Sequence, residues 1–197
     1  LSCAKNAIIV GDTMQLPNVV TEENKETLNF IANACLIKPE YDCANMSFLQ
    51  SVCKVIPNVP QTLLREHYRC HPRIINFCNQ KFYGGDLVIM TRDKGEEDVI
   101  CAIRTAKGNH SRSHMNQREI DVIKEEVLPS LSYETDEIGV IAPYNKQVDA
   151  VKSALEEDID VATVHKFQGR EKEAIIMTTV DDVITSFSDD PNLLNVA

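Results

Sequence analysis

The sequence predicts an α/β fold in which helices cover both faces of a parallel sheet. Runs of consecutive apolar, mostly β-branched residues recur along the chain, and helical patterns with one apolar face separate them. Consecutive apolar positions are typical of strands buried on both faces, as the strands of parallel sheets are. Because strand, polar loop, helix and strand follow one another repeatedly, we expect the crossover connections of such a sheet.

The strand and helix predictions follow in chain order. The predicted strands are residues 7–10, 62–64, 99–103, 137–142, 161–164 and 174–180. The predicted helices begin after Thr21, near residue 47, at Pro72, after Asn116 and near Val148. Asn116 and Glu119 have the spacing of a capping box, in which each side chain bonds the backbone N–H of the other residue.

The composition limits the class of protein. The chain has 197 residues, of which 43% are hydrophobic, and this suits one domain with its own core. No apolar run approaches the roughly 20 residues of a membrane-spanning helix. Seven scattered cysteines without a C-x-x-C pair are typical of reduced thiols, so we expect a cytoplasmic protein with no membrane partner. The net charge of −10 excludes nucleic-acid binding through bulk charge, so such binding would need a local patch, stacking or backbone donors.

Polar residues follow the predicted strands, at the sheet edge where ligands bind in folds of this class. The amide of Gln15 could sense a phosphate or a water, although a plain turn capped by Asp12 explains this loop equally well. Tyr68 and Arg69 offer a flat ring beside a cationic fork, which suits a base and a phosphate. The loop within residues 160–180 could hold a nucleotide, a nucleic-acid backbone or both, and a solvated turn is the simpler alternative.

Two further clusters have weaker interpretations. The spacing of His67, Cys70, His71 and Cys78 fits no usual zinc pattern, so we expect no metal site there. Residues 104–118 contain arginine, lysine and histidine but no acidic residue. This basic stretch could contact a phosphate backbone, but a solvated loop is the commoner meaning of such a charge run.

Five stretches of the chain, taken in order, carry a resemblance to a known family. They are Gly11-Asp12-x-x-Gln15-Leu16-Pro17, Tyr68-Arg69-x-His71-Pro72 with Phe82-Tyr83, Gly139-Val140-Ile141-Ala142-Pro143-Tyr144-x-x-Gln147, Thr163-Val164-His165-x-Phe167-Gln168-Gly169-Arg170-Glu171 and Asp190-Pro191-x-x-Leu194-Asn195-Val196-Ala197. Together they resemble the second RecA-like motor domain of superfamily 1 helicases, in the subgroup of the nonsense-mediated-decay RNA helicase and its bacterial relatives. The resemblance covers nearly the whole chain.

The resemblance implies a RecA-like fold of the P-loop NTPase type, an ATP-dependent helicase or translocase activity, and roles for nine residues. By this resemblance, Gln15 and Arg69 look catalytic: Gln15 couples the γ-phosphate to the bound strand, and Arg69 reaches the phosphates. The residues implied to contact the nucleotide are Gln15, Tyr68, Arg69, Gly169 and Glu171, and those implied to face single-stranded DNA or RNA are Pro143, Tyr144, Thr163 and His165. The implied cofactors are ATP and Mg²⁺, bound mainly by a first RecA-like domain, which is the other implied partner.

The departures from the family pattern matter equally. The chain has no Walker A loop, and its sixth motif stops at Ala197 before the usual arginine. Asp181 and Asp182 follow Val180 where family members often carry an arginine. We therefore interpret residues 1–197 as one motor domain of a longer protein. We expect this domain to be inactive without the rest of that protein. The alternative is a nucleotide- or nucleic-acid-sensing module of a repair or defence protein. A stand-alone phosphatase-like or methyltransferase-like domain would need a complete active site, and we find none in the sequence.

Overall fold

The computed structural model describes residues 5–16, 20–106, 108, 110–155, 158–183, 185, 187 and 189–196. Pro17, Lys107 and Ala197, which belong to the predicted glutamine loop, basic stretch and last motif, lie outside the described residues. The helices are α1 (Glu22–Ala34), α2 (Phe48–Val55), α3 (Pro72–Phe82), α4 (Gln117–Val122), α5 (Leu128–Ser130), α6 (Asn145–Ala154), α7 (Val164–Phe167) and α8 (Pro191–Val196). The strands are β1 (Glu66–His67), β2 (Val88–Ile89), β3 (Ser111–Arg112), β4 (Met115–Asn116), β5 (Ile138–Ala142), β6 (Asp160–Thr163) and β7 (Ala174–Met177).

A three-stranded parallel sheet in the order β6-β5-β7 organises the second half of the chain. Val140 of the central strand pairs with Val161 on one side and with Ile176 on the other. Every residue of β5 is buried, as expected for a strand covered on both faces. The three strands predicted for this half of the chain are therefore confirmed, although β7 ends at Met177 rather than at Val180.

Helices cover both faces of this sheet, as the sequence predicts. On one face, Val140 and Val161 pack in a cluster with Ile120 of α4 and Val151 of α6. On the other face, Ile141 lies in a second cluster that includes side chains of α7 and α8. The alternation of β5 side chains between the two clusters follows from the two-residue period of a strand. Within the described residues, no helix is long and apolar enough to cross a membrane.

Three of the strand predictions are wrong. Residues 7–10, 62–64 and 99–103 carry strand-like sequence but form no ladder in the structure, and they line an open cleft beside β7. Ile8 is 93% exposed and Leu64 is 78% exposed. Apolar β-branched residues favour a strand only where a neighbouring strand pairs with the backbone and covers the side chains. In this part of the chain the pairing is instead between β1 and β2, which form a separate two-stranded parallel sheet.

The helix starts are where the capping residues predict them. Thr21 caps α1 by accepting from the backbone N–H of Asn24, and Ser47 forms a capping box with Gln50 at α2. Pro72 occupies the first turn of α3, where its missing N–H costs nothing. Since serine, threonine and proline have these preferences from local chemistry alone, such starts are the features that sequence predicts best.

Candidate functional site

Arg69 and Glu171 meet at the centre of the candidate site. The Nε atom of Arg69 lies 2.8 Å from Oε1 of Glu171, and its Nη2 atom donates to the carbonyl of Arg170 at 2.6 Å. Both side chains are exposed, so a ligand can reach them. Gly169 precedes this contact with a φ of +83°, a left-handed conformation that favours glycine, and this allows the tight turn of the loop.

The turn that presents Tyr68 and Arg69 is fixed by His67. Its Nε2 atom accepts from the backbone N–H of Cys70 at 2.8 Å, which closes the chain around the two intervening residues. Burial lowers the pKa of His67, with the Arg69 charge acting in the same direction. The ring of Tyr68 is 65% exposed, and its hydroxyl donates to the Glu66 carboxylate. That hydrogen bond is the main reason that the pKa of Tyr68 is raised.

Gln15 comes to the same loop from the N-terminal side. Its Oε1 atom accepts from Nε2 of Gln168 at 3.4 Å, and its Nε2 atom donates to Oδ2 of Asp12 at 3.3 Å. Three segments that are far apart in sequence therefore meet at the loop around Gly169. The structure brings together Gln15, Arg69, Gly169 and Glu171, and Tyr68 stands beside Arg69.

Tyr83 lies behind Gln15 and joins three segments through its hydroxyl. The hydroxyl donates to Oδ2 of Asp12 at 2.7 Å and accepts from Nδ2 of Asn195 at 2.8 Å. Asn195 also donates to the carbonyl of Met14 at 3.1 Å. Burial raises the pKa of Tyr83 to about 12. Tyr83 and Asn195 belong to the stretches that carry the family resemblance, which implies no role for them, and their presence in those stretches was the available signal.

Pro143, Tyr144, Thr163 and His165 lie at the carboxyl edge of the main sheet. Ala142, the last residue of β5, pairs with Thr163, the last residue of β6, so both polar turns begin at one level. Pro143 and Thr163 are buried, Tyr144 is half-buried and His165 is exposed. His165 and part of Tyr144 are therefore accessible to a ligand, whereas Pro143 and Thr163 are buried and shape the edge of the sheet.

The Tyr144 side chain contacts two other rings. Its ring centroid is 4.4 Å from that of His114 and 5.3 Å from that of Phe187. Its hydroxyl donates to Oδ2 of Asp181 at 2.7 Å. The pKa of Tyr144 is raised, first by burial and then by this carboxylate. His114 belongs to the basic stretch of residues 104–118, Phe187 has no assignment from the sequence, and nothing in their spacing shows that they approach Tyr144.

A buried polar network supports this edge of the sheet. Oε1 of Gln147 accepts from the backbone N–H of Asn116 at 2.8 Å, and Nε2 of Gln147 donates to Oγ1 of Thr178 at 3.1 Å. Asn116 caps α4 by accepting from the N–H of Glu119, but the reciprocal half of the predicted capping box is wrong. Since Gln147 takes the N–H of Asn116, the Glu119 carboxylate turns to the hydroxyl of Thr178 and the N–H of Val180.

A second group of ionisable side chains joins α3 to the following loop. Nε2 of His71 lies 3.5 Å from Oε2 of Glu96 and 3.7 Å from Oδ1 of Asp93. Nδ1 of His71 accepts from the N–H of Arg73 as the helix cap, so in the neutral ring the proton is on Nε2. Nε2 is a buried atom without a hydrogen-bond partner at these distances. The arrangement is therefore a close approach of an imidazole to two carboxylates, between the helix and the loop.

Comparison with known proteins adds an independent observation. A family model described as an AAA domain, AAA_12, matches residues 44–197. The sequence is 29% identical to the uncharacterized ATP-dependent helicase MJ0104 of Methanocaldococcus jannaschii, over 98% of this chain and 30% of that protein. It is 26% identical to the DNA polymerase alpha-associated DNA helicase A of Saccharomyces cerevisiae, over 96% of this chain and 32% of that protein. It is 25% identical to the DNA-binding protein SMUBP-2 of Rattus norvegicus, over 90% of this chain and 19% of that protein.

These comparisons and the parallel sheet confirm the predicted fold class, an α/β RecA-like fold of the P-loop NTPase type. The chain spans less than a third of the length of the three relatives that it matches.

Proposed function

The chain belongs to the AAA domain family and is a superfamily 1 helicase domain, and from this premise we propose that it is the second motor domain of an ATP-dependent helicase or translocase. The parent protein would belong to the subgroup of the nonsense-mediated-decay RNA helicase and act on single-stranded DNA or RNA. In this proposal, residues 1–197 form one wall of an inter-domain cleft whose other wall is a first RecA-like domain.

The observation that carries the proposal is the meeting of Arg69, Gln15 and Glu171 around one glycine loop. A cationic fork, an amide and a carboxylate converge there, although the Arg69–Arg170 contact joins residues 101 positions apart. Exposed ion pairs contribute only about 0–1 kcal/mol, so a phosphate can displace Glu171 from Arg69 at little cost. The exposed ring of Tyr68 stands beside the fork, where a base could stack on it.

When bound, ATP supplies the phosphoanhydride bond whose hydrolysis drives movement. The guanidinium of Arg69 would stabilise negative charge that develops on the transferred phosphoryl group. Gln15 would orient a phosphate or the attacking water through its amide, and Glu171 would accept from a ribose hydroxyl. Mg²⁺ would be held mainly by the first motor domain, because this sequence lacks the Walker A serine or threonine.

Strand contacts are proposed for the carboxyl edge of the main sheet. Pro143, Tyr144, Thr163 and His165 lie at that edge, where β5 and β6 end at one level. Proteins that hold single strands without sequence preference combine stacking on aromatic rings with contacts to the backbone. Stacking does not require a positive net charge, and the charge of −10 is therefore compatible with this role.

The test is the variant Arg69→Ala in the complete protein. We expect nucleic-acid binding to persist and strand-stimulated ATP turnover to fall by about 10³- to 10⁵-fold, as loss of an arginine finger does. Arg73→Ala is the matched control, because the side chains of Arg69 and Arg73 are 51% and 52% exposed and each holds one carboxylate. Near-normal turnover in Arg69→Ala, or an equal loss in Arg73→Ala, would reject the assignment of Arg69.

The second candidate function is a nucleotide- or nucleic-acid-sensing module with degenerate motor activity. Asp181 and Asp182 favour it, since carboxylates stand where family members often carry an arginine. ATP turnover of the complete protein with and without single-stranded DNA or RNA separates the two functions. Stimulation by either strand supports the motor, and its absence with both strands supports the sensing module. The 197 residues alone are expected to be inactive under both proposals.

A further inference from the structure

We propose that His114, Tyr144 and Phe187 form a stacking site for the bases of single-stranded nucleic acid, and that Asp181 and Asp182 hold this site together. These three side chains are called the aromatic stack below. The inference rests on the proposed function, since it requires that the protein bind a strand, and it adds the residues and the chemistry of that contact.

The aromatic stack is a set of three rings from three separate segments. Tyr144 contacts both other rings, and its ring is inclined by 42° to that of His114 and by 21° to that of Phe187. His114 comes from the turn between β3 and β4, Tyr144 precedes α6, and Phe187 follows β7. The Tyr144 ring is half-buried, whereas His114 is exposed and Phe187 is 42% exposed. His114 and Phe187 are therefore accessible to a base that stacks against them.

Asp181 fixes Tyr144 to the segment that carries Phe187. Its Oδ2 atom accepts from the Tyr144 hydroxyl at 2.7 Å and from Oγ1 of Thr185 at 3.4 Å. Thr185 is two residues from Phe187, so one carboxylate joins the Tyr144 ring to the neighbourhood of Phe187. This carboxylate is engaged with hydroxyl groups of the protein.

Asp182 fixes the hairpin that carries His114. Its two carboxylate oxygens accept from the backbone N–H groups of His110 at 3.1 Å and Ser111 at 3.0 Å. These two hydrogen bonds are the main reason that the pKa of Asp182 is lowered. The turn needs such support, because Ser113 and His114 have φ values of +54° and +64°, which are costly for residues other than glycine. Both aspartates therefore stabilise the positions of the rings in the aromatic stack.

The surroundings of the stack favour a strand of nucleic acid as its partner. The stack begins directly after Pro143, at the carboxyl edge of the main sheet. The hairpin belongs to the stretch 104–118, which has no acidic residue, and Arg112 and Arg118 are exposed on it. Aromatic rings with an accessible face bind every base, and adjacent arginines bind the phosphates that connect them. A chain of net charge −10 depends on such a local combination.

The test measures stacking directly, in the complete protein. The ligands are a single-stranded oligonucleotide that contains 2-aminopurine, whose fluorescence is quenched when it stacks, and an abasic strand of the same length and charge. The variants are His114→Asn, which suits the left-handed turn without a ring, and Phe187→Leu, which keeps an apolar side chain. Tyr133→Leu is the matched control, because Tyr133 is 47% exposed and lies outside the stack.

We expect each stack variant to weaken binding of the base-containing strand by about 5- to 150-fold and to reduce the quenching, as loss of one stacked base does. Binding of the abasic strand should change little, and Tyr133→Leu should behave as the unaltered protein. Equal losses on the two strands would show that the rings act only on structure or charge, and would overturn the proposal.

The effect of Asp182→Ala on strand affinity distinguishes two possible roles of the Asp182 carboxylate, because the two roles predict changes in opposite directions. If Asp182 only repels phosphates, its removal strengthens strand binding. If Asp182 holds the hairpin in place, its removal weakens strand binding and reduces the quenching as His114→Asn does. We expect the weakening, and a gain of affinity would overturn the role assigned to the aspartate.

Two further results separate this inference from the proposed function. If the unaltered protein binds neither single-stranded DNA nor RNA, the proposed strand contact fails and the stacking site fails with it. If it binds a strand and the stack variants retain full affinity and quenching, the stacking site alone fails. A mononucleotide arm identifies the source of the base: quenching of 2-aminopurine riboside triphosphate that depends on His114 and Phe187 would assign the stack to the nucleotide, against the proposal.

Discussion

Loss of the Gln147 side chain should destabilise this structure, because the side chain is buried and hydrogen-bonded to other buried groups. The side chain of Gln147 is 0% exposed, and it accepts from the backbone N–H of Asn116 at 2.8 Å. It also donates to Oγ1 of Thr178 at 3.1 Å. These contacts tie the start of α4 to the end of β7 through α6. Replacing Gln147 with alanine therefore breaks a buried connection among three elements, with no solvent at hand to take over.

The size of the effect follows from these contacts. An unpaired buried N–H at Asn116 costs about 1–3 kcal/mol, and the lost hydrogen bond to Thr178 adds about 0.5–1.5 kcal/mol. Alanine has a better helix propensity than glutamine, which in α6 offsets this loss by only about a few tenths of a kcal/mol. We therefore expect Gln147→Ala to lower the free energy of unfolding by about 2–4 kcal/mol.

The assay is urea unfolding followed by far-ultraviolet circular dichroism. Lys146→Ala is the control, because Lys146 is the preceding residue of the same helix and is exposed. Its effect should stay within about 0.5 kcal/mol, as for most surface substitutions. A loss below about 1 kcal/mol in Gln147→Ala, or a loss equal to that of Lys146→Ala, would refute the reasoning from unpaired buried groups.

Two further predictions concern packing and pH. Gly139→Ala would place a Cβ atom against Cζ of Phe167, closer than carbon atoms can approach. We therefore expect overpacking to lower the free energy of unfolding by about 1–3 kcal/mol, as measured by urea unfolding. An unchanged urea midpoint would contradict this contact. Tyr83 has its pKa raised to about 12, so its stabilising contribution is complete below the usual tyrosine pKa of 10 and is lost as pH rises through 12. Between pH 10 and 12, the free energy of unfolding of the unaltered protein should therefore fall relative to that of Tyr83→Phe, as measured by urea titrations at each pH. If the two proteins show the same pH dependence of stability, the hydroxyl bonded to Asp12 and Asn195 does not have the raised pKa described here.

The second half of the fold could be predicted because its local signals agree with its tertiary structure. Strands β5, β6 and β7 have apolar sequences and are paired with one another, so propensity and burial give the same result. The run at residues 7–10 has equally strong strand composition, yet Ile8 is 93% exposed. Composition shows that a segment could enter a sheet, whereas pairing depends on a neighbouring backbone that the sequence of the segment does not specify.

The features of the candidate site also differ in how far the sequence predicts them. Arg69 and Glu171 could be singled out from their motifs in the sequence, but their predicted placement at the carboxyl ends of strands is wrong. Residues 62–64 form no strand, and Glu171 precedes β7 in a loop that Arg170 ties to Asp160, the first residue of β6. The link from Tyr83 to Asp12 and Asn195 could not be predicted, because hydrogen bonds between distant polar residues depend on tertiary placement. Asp181 illustrates the limit best: the sequence suggests only a lost positive charge, whereas the structure shows a carboxylate bonded to the Tyr144 hydroxyl.

The segment from β6 to the Gly169 loop joins the two sites of the proposed function. Phe167 anchors α7 in the core, and its carbonyl accepts from the N–H of Arg170 at 2.9 Å. Nη1 of Arg170 also donates to Oδ1 of Asp160, the first residue of β6, at 2.7 Å. The loop is thus tied to both ends of the β6–α7 unit. Under the proposed function, a nucleotide that draws Glu171 away from Arg69 acts on a loop that Gly169 joins to α7. Thr163 immediately precedes α7, so this short helix lies between the loop proposed for the nucleotide and the edge proposed for the strand.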